Sequence, residues 1–286
     1  MQVQNYFFQK IKEVHLRFES YKHICMKGQG VTLDILICTT SDRLSGITSM
    51  ILPVRPGVSY KVSIQHTCPV SLINIPAPLT YRQDITLGYI EGQGLSRNRN
   101  NALSMATADI CLIADDDNRY LPEYIDTILD SWNTHPDYHI LTFQAETLEG
   151  EPLHPYPAPY VCSVEITFSR KAILDKGLRF DEHFGLGSPL LCAGEEDIFM
   201  ADARKAGLTI GYIPKVIVRT DAKTTSSVFI GNRKLQLTKG AVFRNIYGTA
   251  GAIWRSFKEA GWYLFHKGAN PFPILFNMLK GIWILR

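Results

Sequence analysis

The stretch LIADDDNRYLPEYI, residues 112–125, is the part of the sequence on which a prediction of the fold depends. Apolar residues lead directly into three consecutive aspartates, Asp115, Asp116 and Asp117, and Pro122 then opens a second apolar stretch. Adjacent carboxylates repel one another, so three of them at the end of a buried strand need either a solvated turn or a positive partner.

The segments around this stretch alternate between strand-like and helix-like patterns. Residues 109–114 are predicted as a strand, and residues 121–132 carry apolar side chains at helical spacing behind it. Upstream, strands are predicted at residues 31–40, 60–67 and 85–90, and a helix is predicted from Gly94. The first strand is apolar on both faces, which is typical of a central parallel strand. This alternation predicts an α/β sheet.

The pattern loosens beyond His139. Two further strands are predicted at residues 139–148 and 161–169. Between them lies the proline-rich stretch EPLHPYPAPY, residues 151–160, which we predict to be an ordered loop or lid.

Size and charge limit the class of protein. The chain has 286 residues, of which 45% are hydrophobic, and this suits one large α/β domain with a small appendage. A net charge of +3 is too small to indicate a nucleic-acid partner. Six scattered cysteines without a CxxC pair indicate reduced thiols and a cytoplasmic location. No apolar run has transmembrane length, and the N-terminus lacks a signal-peptide pattern.

The C-terminal region has an unusual composition. Residues 244–286 contain six Arg or Lys and one acidic residue, Glu259, interleaved with aromatic residues. Such a mixture is typical of a segment that lies at a membrane interface, but it also fits a helix pair that packs on the main domain. Pro271 and Pro273 exclude a single long helix.

The three aspartates suit a metal site. In an open α/β sheet, ligands bind beyond the carboxyl ends of the strands. Residues i and i+2 of an extended chain point to one side, so Asp115 and Asp117 should converge while Asp116 points away. Two convergent carboxylates suit Mg²⁺ or Mn²⁺, although acids in this position also cap a following helix.

A second acidic cluster opens another predicted helix. Glu195, Glu196 and Asp197 fall in its first turn, Arg204 and Lys205 in its last, and Gly207 follows. These charges complement the helix dipole, which is a structural explanation on its own. The same dipole keeps a carboxylate ionised, which is the state that a general base requires.

Four stretches in one order resemble the family 2 glycosyltransferases of the GT-A fold, particularly those of bacterial surface-polysaccharide synthesis. They are ILICTT, GLSRNRNNAL, ADICLIADDDNRYLPEYI and RFDEHFGLGSPLLCAGEEDIFMADARKAGLTIGYIP. The resemblance covers about residues 31–228 and implies a Rossmann-like, mixed and mostly parallel sheet flanked by helices. We therefore expect an N-terminal extension at residues 1–30, a GT-A domain at residues 31–230, and a helical, aromatic and basic appendage at residues 231–286.

The resemblance assigns roles to residues. It implies that Asp117 and Asp115 hold the metal, and that Glu196 is the base with Asp197 close behind. Arg99 lies in the element that resembles the family's Gly-x-x-x-Ala-Arg-Asn, with Asn98 in place of alanine. The residues expected to bind the nucleotide sugar are Thr39, Thr40, Arg99, Asp115, Asp116 and Glu195.

The resemblance also implies a reaction. A sugar would pass with inversion from a nucleotide sugar, with a UDP-sugar expected, to a hydroxyl of a glycan or lipid-linked acceptor. Mn²⁺ or Mg²⁺ would be the cofactor, and the enzyme would act in the cytoplasm, with peripheral contact at the anionic inner face of the cell membrane. The sequence departs from the family at two places. Residues 65–68 lack the aspartate that contacts the nucleotide base in many relatives. Arg219, Thr220 and Asp221 stand where many relatives carry the histidine that completes the metal shell.

Two other functions fit parts of the sequence. A sugar nucleotidyltransferase also needs a metal on an α/β sheet, but ILICTTSDRLSG lacks the glycine-rich basic loop that such enzymes show. A catalytically inactive scaffold docked at a membrane would account for the missing histidine.

Overall fold

The computed structural model describes residues 30–157, 160–221 and 229–285, so the predicted N-terminal extension lies outside it except for Gly30. Its seven strands form one sheet in the order β3-β2-β1-β4-β6-β5-β7. The strands are β1 (Leu33–Thr40), β2 (Val58–His66), β3 (Ile85–Glu91), β4 (Ile110–Asp115), β5 (Ile140–Thr147), β6 (Ile166–Ser169) and β7 (Ile210–Thr220).

Helices flank this sheet and follow it. They are α1 (Leu44–Ile47), α2 (Ala77–Thr80), α3 (Leu95–Met105), α4 (Pro122–Thr134), α5 (Arg170–Asp175), α6 (Glu195–Lys205), α7 (Arg233–Lys267) and α8 (Pro271–Gly281). Short 3₁₀ turns occur at Val70–Leu72 and Ser163–Glu165. The helices predicted after Gly94, after the aspartates and at the second acidic cluster are confirmed as α3, α4 and α6.

Strand β1 lies at the centre of the parallel part of the sheet, as its sequence predicts. It pairs in parallel with β2 on one side and β4 on the other. Because successive side chains point to opposite faces, Ile35 and Ile37 enter one core, and Leu36 and Cys38 enter the other. Helix α4 covers the first face, while α3 and α6 cover the second.

Strand β6 makes the sheet mixed. It runs antiparallel to both of its neighbours, β4 and β5. The prediction of a strand over residues 161–169 was too long, because residues 163–165 form a 3₁₀ turn before β6 begins. Since β6 runs against β4, this turn lies at the carboxyl end of β4. The mixed, mostly parallel sheet of the GT-A fold is confirmed.

The C-terminal helices α7 and α8 form an antiparallel hairpin that packs on the domain. Ala241 and Val242 of α7 contact Phe184, Leu191 and Ile198 around α6. The helix-pair interpretation is confirmed, and α8 begins at Pro271, after the break that the prolines predict. Helix α7 is interrupted at Gly248, whose φ is +70°. Within the described ranges, none of the helices has the length and apolar character needed to cross a bilayer.

Two glycines allow α7 and α8 to touch through their backbones. A Cβ on Gly240 would overlap the backbone carbonyl oxygen of Met278, and a Cβ on Gly281 would overlap that of Leu237. Backbone atoms cannot give way as a flexible side chain can. The close crossing therefore requires glycine at both positions.

Gly240→Ala should separate α7 from α8 and destabilise the protein by about 1–3 kcal/mol, the usual cost of overpacking. Gly261→Ala is the matched control, because Gly261 lies in the same helix and a Cβ there would contact nothing within 4 Å. The control should be neutral or stabilising by up to about 1 kcal/mol through helix propensity. Urea unfolding measures both, and equal midpoints for the two variants would contradict the crossing.

Candidate active site

The carboxyl ends of β1 and β4 lie side by side and bring the first predicted residues together. Cys38 pairs with Asp115 in the sheet, so Thr39 and Thr40 face the acidic turn. The Thr39 hydroxyl donates to Asp116 Oδ2 over 2.8 Å, and Arg43 Nη2 lies 2.6 Å from Asp116 Oδ1. Burial raises the pKa of Asp116, and the Thr39 hydrogen bond opposes this rise. Asp116 therefore faces β1, away from Asp115.

Contrary to the prediction from the sequence, Asp115 and Asp117 do not lie on one extended strand. Strand β4 ends at Asp115, and the chain then turns, with the Asn118 amide donating to the Asp115 carbonyl over 3.3 Å. The two carboxylates are nevertheless close. Burial raises the pKa of Asp117, and the charge of Asp115 raises it further. The turn, and not an extended chain, produces their proximity.

A third carboxylate, from Asp221, acts on Asp117. The turn after β4 is attached to the end of β7 by two backbone hydrogen bonds between Arg119 and Arg219, of 2.7 and 3.0 Å. Asp221 follows β7, and its charge also raises the pKa of Asp117. The Arg219 side chain is directed elsewhere, since its Nε lies 3.2 Å from Glu146 Oε2. Of the three residues where the family's histidine was expected, Asp221 is thus the one whose charge reaches the carboxylate of Asp117 in the acidic turn.

Arg99 joins the two acidic clusters through its buried guanidinium group. Nη1 donates to Glu195 Oε1 over 2.8 Å, and Nη2 donates to Asp115 Oδ1 over 3.1 Å. Nη2 also donates to the Ser163 hydroxyl over 2.8 Å. Burial would lower the pKa of Arg99, but the carboxylates of Asp115 and Glu195 outweigh it and hold this pKa above its ordinary value. One buried guanidinium group therefore bridges Asp115 and Glu195.

The Arg99 side chain is enclosed by protein and is only 3% exposed. Three protein oxygens accept hydrogen bonds from Nη1 and Nη2, while Nε is buried without a hydrogen-bond partner in the described part of the chain. Arg99 thus lies behind the carboxylates, and its influence on a ligand passes through Asp115 and Glu195.

The second acidic cluster lies in the first turn of α6, as predicted. Gly194 precedes it with a φ of +84°, and a Cβ there would overlap the side chain of Val242. Oε2 of Glu195 and Oε2 of Glu196 are two of the five buried side-chain atoms that lack a hydrogen-bond partner among the described residues. Burial raises the pKa of Glu196 well above its ordinary value, and the neighbouring Glu195 carboxylate adds to this. Burial also raises the pKa of Asp197, which Lys239 opposes.

Sequence reasoning missed three residues of this region. Ser163 was placed inside a strand, so nothing indicated its contact with Arg99. Asn98 was noted only as a departure from alanine, yet it is buried and its side-chain amide donates to the Thr39 carbonyl over 2.9 Å. Asp221 was noted only as a substitute for histidine. Their contacts all join segments far apart in the sequence.

The predicted residues therefore gather at one edge of the sheet. Residues 82–185 match the family model described as "Glycosyl transferase family 2". This part of the chain is similar to the family 2 glycosyltransferases. This confirms the resemblance, and the matched family 2 residues include α3, β4 with its aspartates, and β6.

Solved structures of TarS from S. aureus show the same GT-A fold. One TarS structure matches with 13% sequence identity and a TM-score of 0.51, covering 82% of this chain and 44% of the TarS chain. A structure of TarS residues 1–349 in complex with UDP-GlcNAc matches with 12% identity and a TM-score of 0.53, covering 82% and 73%. The match therefore covers less than half of the longer TarS chain. A search of curated proteins gave no match.

Glu196→Gln should stabilise the protein at neutral pH and leave it unchanged in acid. The folded pKa of Glu196 lies above its unfolded value, so ionisation costs folding free energy as pH rises from about 4.3 through the folded pKa. Each pKa unit between the folded and the unfolded state corresponds to about 1.4 kcal/mol of unfolding free energy at high pH. Thermal unfolding of the wild type and the variant at pH 4 and pH 8 measures this difference in stability, with the exposed Glu149→Gln as control. A Gln variant less stable than wild type at pH 8 would contradict a buried, costly carboxylate.

Proposed function

We propose that the chain is a metal-dependent, inverting glycosyltransferase that uses a nucleotide sugar. The observation that carries this proposal is the buried Asp115–Arg99–Glu195 bridge. It joins the acidic turn, where a donor diphosphate would bind, to the helix that offers a general base. One network then holds both halves of a transfer site in a fixed relation.

We propose a UDP-sugar as the donor, bound at the carboxyl ends of β1 and β4. The support is the GT-A fold shared with TarS, which has been solved with UDP-GlcNAc and with UDP. Thr39, Thr40 and Asp116 lie at this edge, beside the cationic side chain of Arg43. In residues 65–68, which lack the family's aspartate, the Gln65 side-chain amide donates to the Gly92 carbonyl over 2.7 Å.

The acidic turn suits Mn²⁺ or Mg²⁺. Asp117, Asp115 and Asp221 offer only oxygen ligands, which hard divalent cations prefer. Burial raises the pKa of Asp117, the charges of Asp115 and Asp221 raise it further, and a bound cation would oppose these effects. We propose that these three carboxylates hold the ion, which when bound neutralises charge on the departing diphosphate.

Glu196 is the proposed general base, with Asp197 as the alternative. The carboxylate takes the proton from the acceptor hydroxyl while the oxygen of that hydroxyl bonds to the anomeric carbon. The bond from that carbon to the diphosphate breaks on the opposite face, and the electron pair leaves with the nucleoside diphosphate. Because the raised pKa of Glu196 delays its ionisation, the acid limb of activity should lie above the pH typical of a surface glutamate.

Asp117→Asn should weaken metal-dependent donor binding, whereas Glu196→Gln should keep donor affinity and lower turnover by about 10²–10⁴-fold. Calorimetry with UDP-GlcNAc and Mn²⁺ measures binding, and release of UDP measures turnover. Glu149→Gln is the control for loss of a remote charge. Turnover that survives in Glu196→Gln but not in Asp197→Asn would move the base to Asp197. A wild-type chain that releases no nucleotide from any nucleotide sugar would favour the inactive scaffold.

We propose that the acceptor is a glycan or a lipid-linked glycan of surface-polysaccharide synthesis, used at the cytoplasmic face of a membrane. The support is a surface on α7 and α8 that consists of Trp254, Phe265, Phe272 and Phe276, which we call the aromatic face. These four side chains have 71%, 83%, 77% and 67% of their surface exposed. Lys258 and Lys280 accompany them, and basic residues with aromatic rings suit an anionic lipid surface.

The full chain should bind vesicles that contain phosphatidylglycerol and bind poorly to neutral phosphatidylcholine vesicles. Trp254→Ala combined with Phe265→Ala should reduce sedimentation with the anionic vesicles several-fold, because two anchoring rings are lost. Tyr81→Ala is the matched control, since Tyr81 is 83% exposed but lies outside α7 and α8. Unchanged sedimentation of the double variant, or a dimer that the double substitution dissociates, would overturn the membrane assignment.

A further inference from the structure

A second group of metal-ligand side chains lies beside the candidate active site. It belongs to the proline-rich stretch and to the 3₁₀ turn that follows it before β6. His154, Cys162 and Glu165 each offer one ligand atom, and these atoms lie within 4.8 Å of one another. His154 is 7% exposed and Glu165 is 1% exposed. None of the three has a role in the proposed transfer reaction.

The hydrogen bonds of His154 direct one ring nitrogen at the carboxylate. Nδ1 lies 3.2 Å from the Pro155 carbonyl oxygen, and because a carbonyl can only accept, this contact requires a proton on Nδ1. The other ring nitrogen, Nε2, points at the Glu165 carboxylate and lies 3.1 Å from Oε1 and 3.2 Å from Oε2. Metal-bound histidines commonly show this pattern, with the second nitrogen donating to a backbone carbonyl.

Glu165 is also held by the backbone of Cys162, with which it forms a capping box, and by a neighbouring tyrosine. The Cys162 amide donates to Glu165 Oε2 over 2.8 Å, and the Tyr156 hydroxyl donates to Glu165 Oε1. Ligating carboxylates are typically oriented by such hydrogen bonds. The carboxylate is therefore positioned by groups that would not themselves need to bind a metal.

We propose that His154, Cys162 and Glu165 form a Zn²⁺ site whose fourth ligand is water. Nitrogen, sulfur and carboxylate oxygen are the donors that zinc prefers, in contrast to the all-oxygen acidic turn. Bonds of about 2.0 Å to nitrogen and 2.3 Å to sulfur set neighbouring ligands roughly 3.5 Å apart. The His154–Glu165 pair already meets this spacing, and a separation of at most 4.8 Å closes by movement of about an ångström.

Such an ion would fix the proline-rich segment where it meets the active site. Ser163 follows Cys162 directly and accepts a hydrogen bond from Arg99 Nη2 over 2.8 Å. The zinc would thereby hold Ser163 against the Asp115–Arg99–Glu195 bridge, which is a structural role. Binding must displace the thiol proton of Cys162, so affinity should fall as pH falls.

Cobalt substitution of the full chain tests this site directly. Co²⁺ bound to a thiolate gives a near-ultraviolet sulfur-to-cobalt charge-transfer band, which an oxygen-only site cannot give. We expect wild type to show the band with one equivalent of Co²⁺, and to lose it on adding one equivalent of Zn²⁺. Cys162→Ser and His154→Gln should abolish or strongly reduce it. Cys192→Ser, which removes another partly exposed free thiol, should leave it unchanged.

Two further measurements separate this site from folding and from the proposed function. Thermal unfolding in EDTA should give similar midpoints for wild type and Cys162→Ser, with Zn²⁺ raising only that of wild type. Asp117→Asn should keep the cobalt band, so the zinc site can hold even if the transferase proposal fails. Absence of the band in wild type, or its persistence in Cys162→Ser, would overturn the inference.

Discussion

The buried guanidinium group of Arg99 is the interaction on which the site depends. A cation that is only 3% exposed must keep its anionic partners, because removing one partner of a buried pair typically costs about 3–5 kcal/mol. Asp115 and Glu195 are therefore held in fixed positions by the same charge. The acidic turn after β4 and the first turn of α6 consequently behave as one rigid unit, although 80 residues of sequence separate these two partners.

The sheet supplies the remaining constraints on this unit. Parallel pairing of β1 with β4 sets Thr39 beside the acidic turn, and Asn98 ties α3 to the end of β1. The backbone bonds between Arg119 and Arg219 attach the turn to β7. Carboxylates that would repel one another in a flexible loop are thus kept together by backbone contacts. A site built in this way is organised before any ligand arrives.

Local patterns in the sequence were sufficient for most of the fold. Apolar runs predicted β1, β2, β3 and β4, and helical spacing with charge placement predicted α4 and α6. What local patterns could not show were contacts between distant segments. The Arg99 contacts with Glu195 and Ser163, the turn that replaces an extended chain after Asp115, and the group around His154 all depend on how separate elements meet. Spacing within one element carries no signal for such contacts.

The reversed direction of β6 has a consequence for how such a chain can diverge. In a parallel strand, the residues at this edge of the sheet belong to the loop that follows the strand. Because β6 is antiparallel, the residues that it brings to this edge belong to the segment that precedes it. Strand pairing on both sides fixes β6, so the register of the sheet does not depend on how many residues precede it. The segment between β5 and β6 can therefore be lengthened, shortened or exchanged while the carboxylates of the candidate site stay in place. Selectivity can thus evolve there without rebuilding the reaction centre.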